Sequence, residues 1–411
     1  MRARALLGAV VGGLGLSVLS AVPAPAAQAP GPVWSPPVVV GRDGYAPRVA
    51  VNTAGVTVLA WSCDYSICVR RRSPGGALGR TVQVPSTNVI SYNVALAGDG
   101  TATLVHRVER EDGWVHVAQR LRPSGPVGNP VLLAEQADVV ASTVSRTGDL
   151  AVEMWDQDRK WLRVLGADGA LGPGVPLAAE TVVEPAADGG FWLLDRDRAG
   201  VLGLRHVLDG TIASEQTVGS SPVAADLAVR TDGTVVVAWW EGPRRERRLR
   251  TLQVAPTGTV SRVRGLSGVV RAGRDLDLAA LPDGRVLAAF RSRRGGYADV
   301  RGGVVPREPG PWLRLGPALL PGYDRVVAVA RDRVVLLSLV DTWMDHHVSA
   351  RTWDGRRVSR PKRIIEAPGY DNDCGSSEIT AASAGGHVAL VNRRGHSCRP
   401  RYDKVVLAYR R

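Results

Sequence analysis

The sequence predicts an all-β fold of about eight units, each of four strands. Three observations carry this. Glycine-punctuated tight turns recur at spacings of 41 to 51 residues. Runs of β-branched and aromatic residues follow each turn. A second series of Gly, Pro and Asp turns alternates with the first.

The first turn contains Gly55, Gly100, Gly148, Gly189, Gly233, Gly284, Asp332 and Gly385-Gly386. The runs Val56–Trp61, Thr234–Trp239 and Arg285–Phe290 follow three of these turns and read as half-buried or buried strands. The second turn reads Pro74-Gly75-Gly76, Pro123-Ser124-Gly125, Asp168-Gly169, Asp209-Gly210, Pro256-Thr257-Gly258, Pro309-Gly310 and Asp354-Gly355. Such residues reach the positive φ that tight hairpins need. A repeat of this length with four strands is the signature of a propeller blade, which buries its faces only by packing against neighbouring blades. The expected fold is therefore a single β-propeller of about eight four-stranded blades, with seven as the alternative count.

The last unit ends after three strands, near 378–383, 387–392 and 404–409. An unassigned strand, Val33–Val40, lies at the other end of the chain. It shares the pattern Val-x-x-Pro plus apolar residues with Val358–Ile365 and Val127–Leu133. Proline suits an outer strand, where a missing N–H costs little. The N-terminal strand is therefore expected to complete the last blade and close the ring, removing open sheet edges.

Residues 33–411 resemble the secreted β-propeller repeat proteins of GC-rich Gram-positive bacteria. The resemblance rests on an Ala/Asp-Gly turn six residues before a Trp, as in Asn52–Trp61 and Arg230–Trp239. It implies architecture and no particular activity. The Ser-x-Asp-x-Gly-x-x-Trp box of sialidases is absent, and Trp-Asp blade endings are not a regular feature.

The N-terminus reads as an export signal. Arg2 and Arg4 precede the apolar run Leu6–Val22, and Ala24-Pro25-Ala26 supplies small residues for cleavage. This gives a Sec signal peptide at 1–26, a linker at 27–32 and a propeller domain at 33–411, with a secreted, extracellular location. No later apolar run is long enough to span a membrane. Cys63, Cys68, Cys374 and Cys398 fit two disulfides in such a compartment. Three pairings are open, and Cys63–Cys68 with Cys374–Cys398 is preferred because each pair falls within one blade. A zinc knuckle is disfavoured by the spacing.

The formal net charge is +13, and 49 of the 52 basic residues are Arg. Two readings stand: codon usage, or attraction to a polyanion such as an acidic glycan or teichoic acid. No motif for specific nucleic-acid recognition is visible. The charged segments Arg107–Gly113, Asp156–Lys160, Glu241–Arg248, Arg291–Gly296, Asp341–His347 and Arg393–Arg401 read as loops between second and third strands. They would share one face, the expected place for a ligand.

Arg48, Asn93, Ser142, Glu184, Asp226, Asp277, Arg325 and Glu378 fall at the starts of the innermost strands. They are expected to ring the mouth of the central channel, with Arg48 and Glu378 able to pair across the seam. Asp371, Asn372, Asp373 and Glu378 are oxygen-rich but lack EF-hand spacing. No nucleophile elbow, zinc motif or phosphate loop occurs, so no metal or other cofactor is expected. The leading expectation is a secreted binding module for a glycan or other anionic ligand. The alternatives are a glycan hydrolase or lyase using channel carboxylates, and a structural or partner-binding envelope protein.

Overall fold

The computed structural model describes residues 34–411, apart from 43, 87, 112, 222, 244–245, 266–273, 282–283, 295–296, 306–312, 318–323, 331–332, 343–344, 354–358, 367–378, 385–386, 395–403 and 411. For much of the segment after residue 290 only the backbone is described. Trp34–Arg411 forms one compact unit. Among the described residues no helix is long and apolar enough to cross a membrane.

The described strands form eight antiparallel sheets of four strands; seven are ordered from the inside outward in chain order, and the eighth takes its outermost strand from the N-terminus. Blade 1 contains Tyr45–Val51, Thr57–Cys63, Ser66–Arg72 and Val82–Pro85. Blade 2 contains Asn88–Leu96, Ala102–Arg110, Gly113–Leu121 and Val131–Glu135. Blade 3 contains Asp138–Val144, Leu150–Asp156, Arg159–Leu165 and Val175–Pro176. Blade 4 contains Glu180–Pro185, Phe191–Arg196, Val201–Leu208 and Thr211–Ser220. Blade 5 contains Ala225–Val229, Val235–Glu241, Arg248–Val254 and Arg264–Gly265. Blades 6 and 7 begin with Arg274–Ala280 and Asp324–Ala330. Blade 8 contains Ile379–Ala384, His387–Arg394 and Lys404–Arg410, and takes its outermost strand, Val38–Arg42, from the N-terminus.

The first strands adjoin one another in order from blade 1 to blade 8, and that of blade 8 adjoins that of blade 1. The sheets thus form a closed β-propeller. The closing strand pairs antiparallel with the C-terminal one, Val38 opposite Leu407 and Arg42 opposite Lys404. It begins later than the sequence suggested. Pro36 and Pro37 lie ahead of it with no N–H to give, so the ladder starts at Val38.

The turn glycines behave as their spacing implies. Gly55, Gly100, Gly148, Gly189, Gly233 and Gly284 have φ between 80° and 101°, a region costly to any residue with a Cβ. The second strands they introduce are the most buried in the fold; all seven residues of Thr57–Cys63 are buried. Apolar clusters fill the gaps between blades. One joins Val40 and Leu407 of blade 8 to Leu59 and Trp61 of blade 1. Another joins Trp240 of blade 5 to Phe290 of blade 6, their rings edge to face at 4.9 Å. Trp61 and Trp239 are each 2% exposed, which is the expected place for them between blades.

Cys63 and Cys68 form a disulfide with a Cα separation of 5.8 Å. The connection inside it is tighter than the four-residue loop read from the sequence. Cys63 lies opposite Ser66, leaving a two-residue turn, and Cys68 lies opposite Trp61. The bridge is therefore diagonal. Cys374 and Cys398 lie outside the described residues, as do Asp371, Asn372 and Asp373.

Candidate functional site

The innermost strands carry the residues expected to ring the channel mouth. Arg48, Asn93, Asp226, Asp277 and Arg325 occupy equivalent register positions, opposite Ala60, Val105, Ala238, Ala289 and Leu337 of their second strands. Glu184 lies opposite Trp192, one pleat nearer the tight-turn end than this set. Arg48 donates to its neighbour Pro47 O at 3.1 Å and its guanidinium lies 5.8 Å from the Tyr92 ring. Asn93 is half-buried. The Arg325 side chain and all of Glu378 lie outside the described residues, and with them the Arg48–Glu378 pair.

Asp226 lies within electrostatic reach of carboxyl groups on the blades to either side, Glu184 and Asp277. Asp226 accepts from its own strand at Leu227 N (2.9 Å) and from blade 6 at Leu278 N (2.5 Å). Burial raises its pKa well above the carboxylate range, and the charges of Asp277 and Glu184 push the same way against those two N–H groups. Burial alone raises Glu184 to about 7. Among the described residues neither group has a cationic partner. Asp226 thus ties blade 5 to blade 6. Glu184 is a carboxyl group that holds its proton near neutrality. No group of three His, Cys, Asp or Glu among the described residues could hold a metal ion.

The loop face differs from expectation in one respect. Several of the expected loops are strand extensions closed by short turns, because Arg107 and Asp156 stay in the ladder. Blade 3 shows what this builds. Its hairpin pairs Asp156 with Arg159 at 2.9 Å, which holds the Asp156 carboxyl below its usual range, and Lys160 with Glu153 at 2.8 Å. A cleft flanks the hairpin on either side.

The cleft toward blade 4 has a volume of about 740 Å³ and is lined by Val140, Trp155, Gln157, Lys160, Asp197 and Arg198. Trp155 is 52% exposed. Its floor is rigid. The Asp195 carboxylate accepts from Arg205 at 2.6 Å, from Thr181 Oγ1 at 2.7 Å and from Ala178 N at 3.1 Å, while Arg205 also donates to Pro176 O. The cleft toward blade 2 has a volume of about 800 Å³ and is lined by Leu132, Glu135, Trp161, Arg163, Gly174 and Pro176. Asp158, Lys160 and Leu177 border both clefts.

Trp155 was not singled out from the sequence, although a signal exists. It stands seven residues after its turn glycine, as Trp240 does. Blade 6 meets Trp240 with Phe290, six residues after Gly284. At the same position blade 4 carries Asp195. Where blade 6 offers an aromatic ring to its neighbour's indole, blade 4 thus offers a carboxylate, and Trp155 is exposed where Trp240 is buried.

The arginine excess has a structural component that neither sequence reading included. Arg71 donates to Gly100 O and Leu121 O of blade 2, and Arg120 to Gly166 O and Ala167 O of blade 3. These side chains tie blade 1 to blade 2 and blade 2 to blade 3, and their donors are committed there.

No family model matches the chain, and no curated protein matches it. Among solved structures it is similar to β-propeller proteins. The β-propeller domain of the trilobed protease from Pyrococcus furiosus is 12% identical, covering 80% of this chain and 97% of that one, with a TM-score of 0.48. A catalytically inactive virginiamycin B lyase from Staphylococcus aureus with quinupristin is 11% identical, covering 92% and 99%, with a TM-score of 0.46. Dihydro-heme d1 dehydrogenase NirN is 14% identical, covering 79% and 68%, with a TM-score of 0.47.

Proposed function

We propose that this protein is a secreted glycan-binding propeller whose ligand is held on the loop face, across the hairpin of blade 3. One observation carries the reading. Trp155 presents a half-exposed indole in a cleft whose other polar walls are Gln157, Asp158, Lys160, Asp197 and Arg198. An aromatic plane stacks on the apolar face of a sugar ring, and neighbouring charged groups take its hydroxyls. Lys160, opposite Trp155 in the ladder, is held by Glu153 at 2.8 Å, so that part of the site is ordered before binding.

Retention of the mature protein on immobilised polysaccharides tests this. Trp155→Ala is expected to abolish retention on the polymer that binds. Tyr65→Ala, which removes a 90% exposed aromatic on blade 1, is expected to leave it unchanged. Retention that survives Trp155→Ala but disappears in moderate salt would place the ligand on the basic surface instead. Export by the segment at 1–26 belongs to the same proposal, and the secreted chain is expected to begin at Ala27.

A glycan hydrolase or lyase is the second reading. In its favour, Glu184 keeps its proton near neutrality and so could act as a general acid. It also needs an ionised partner, and Asp226 is biased toward its neutral form. Turnover of any bound polymer that vanishes in Glu184→Gln would favour it.

A further inference from the structure

We infer that the cleft between blades 2 and 3 is a carboxylate subsite, in which Arg163 reads the acid group of a uronic-acid polysaccharide. The inference rests on the glycan-binding reading above and names the class of glycan.

Blades 1 to 4 carry a donor at the same place on the third strand, opposite the third residue of the paired segment of the second strand: Arg70, Gln119, Arg163 and Arg205. Three of the four are anchored to main chain. Arg70 donates to Gly79 O at 2.7 Å and to Val40 O, in the preceding blade's outer strand, at 3.0 Å. Gln119 donates to Gly128 O at 2.9 Å. Arg205 donates to Pro176 O of the preceding blade at 2.8 Å and to Asp195. Arg163 has no acceptor among the described residues. Its Nε–H is closed off from solvent with nothing to receive it. The guanidinium also lines the cleft, and there an ionised oxygen is the best partner for its remaining N–H groups.

The surroundings say what brings that oxygen. Trp161, half-buried and packed closely over Gly174, lines the same cleft, and Leu132 exposes 38% of its surface there. An aromatic plane and an apolar edge beside a guanidinium suit a sugar ring bearing one carboxylate. Charge balance decides against a denser polyanion. The cleft holds three cations, Arg159, Lys160 and Arg163, and three acids, Glu135, Asp156 and Asp158, so it carries no excess positive charge. Arg159 and Lys160 already have acidic partners. Arg163 alone of the three is left to take an acid group, and one carboxylate suffices for it, whereas a run of phosphates or sulfates would also have to pass Glu135 and Asp158 of the same cleft.

The test compares polygalacturonate, alginate and hyaluronate with the same three polymers after carboxyl reduction to their neutral forms. The mature chain is expected to bind at least one acidic polymer about tenfold more tightly than its reduced form. Arg163→Gln should lose that preference while binding the reduced polymer as before, which also shows that the variant is folded. Arg163→Lys should recover part of the preference. Equal binding of acidic and reduced polymers by the unmodified protein overturns the inference, as does an equal loss on both in Arg163→Gln; in either case the Trp155 reading stands. Binding to none of the six removes both readings.

Discussion

Gly41 of the closing strand lies beneath the indole of Trp61 in blade 1, so close that a Cβ at position 41 would stand 2.6 Å from Cε2 of the ring. Gly219 and Trp239 repeat the relationship between blades 4 and 5, at 2.8 Å. The N-terminal strand is therefore fixed twice, by its ladder with Lys404–Arg410 and by an aromatic ring that tolerates only glycine. Gly41→Ala should force one of the two apart, at a cost of about 1–3 kcal/mol. The urea midpoint measures this, and limited proteolysis should show the N-terminal segment released first. Gly219→Ala should lower the midpoint similarly without releasing that segment. Equal protection of the N-terminus in both variants would mean that the contact at Gly41 does not hold the latch.

The disulfide acts at the same seam. Cys63 and Cys68 belong to the apolar cluster that contains Val40, Ala389 and Leu407 of blade 8. Asp64 and Tyr65 inside the bridge both have positive φ, at 36° and 57°, the conformation of a type I′ turn usually filled by Asn-Gly. The bridge thus holds a turn that its sequence disfavours. Replacing both cysteines by serine should cost about 2 kcal/mol by the chain-entropy argument. Adding Asp64→Asn and Tyr65→Gly to that variant should return up to about 1 kcal/mol. Thermal unfolding of the three proteins tests this. A turn replacement that is neutral would show that the backbone strain is not felt.

The spacing of the turn glycines made the ring readable before any coordinates, since each one marks where a backbone must adopt positive φ. The closing strand was readable because proline tolerates only an outer edge. The destinations of polar side chains were not readable. Arg71 and Arg163 are both third-strand arginines two or three residues from a glycine turn, yet one reaches the next blade's carbonyls and the other faces an open cleft. That difference depends on which face of the strand each occupies. Likewise Glu184 and Asp226 both look like channel acids, but they sit one pleat apart, and only Asp226 reaches a main-chain N–H of its neighbour.

That reach predicts a graded response. Asp226→Ala would leave the N–H groups of Leu227 and Leu278 without the acceptor they now share. The cost should be about 1–3 kcal/mol. Asp226→Asn keeps one acceptor oxygen and removes the charge that burial disfavours, so it should cost less. Amide exchange at Leu278 gives the local readout, with faster exchange in the alanine variant. An alanine variant as stable as the unmodified chain would make the carboxyl a passive channel lining.

Glu184 predicts the pH dependence of stability, and the sign follows from its environment. Its pKa is raised from 4.5 to about 7 by burial. Between those values the unfolded chain releases this proton while the native chain keeps it, so stability falls as pH rises through the window and levels off above it. The change is on the order of 2–3 kcal/mol. His106 and His116, buried in blade 2 with imidazoles held below their usual pKa, act in the opposite sense, costing stability as pH falls through about 6.5. A single pH profile mixes these contributions. The difference between the unmodified chain and Glu184→Gln removes the histidines, because they are common to both. The variant should be clearly the more stable at pH 8, and its advantage should shrink steadily toward pH 5. Urea midpoints at half-unit intervals measure it. A difference that stays flat across this range would mean that Glu184 titrates like an ordinary exposed carboxylate.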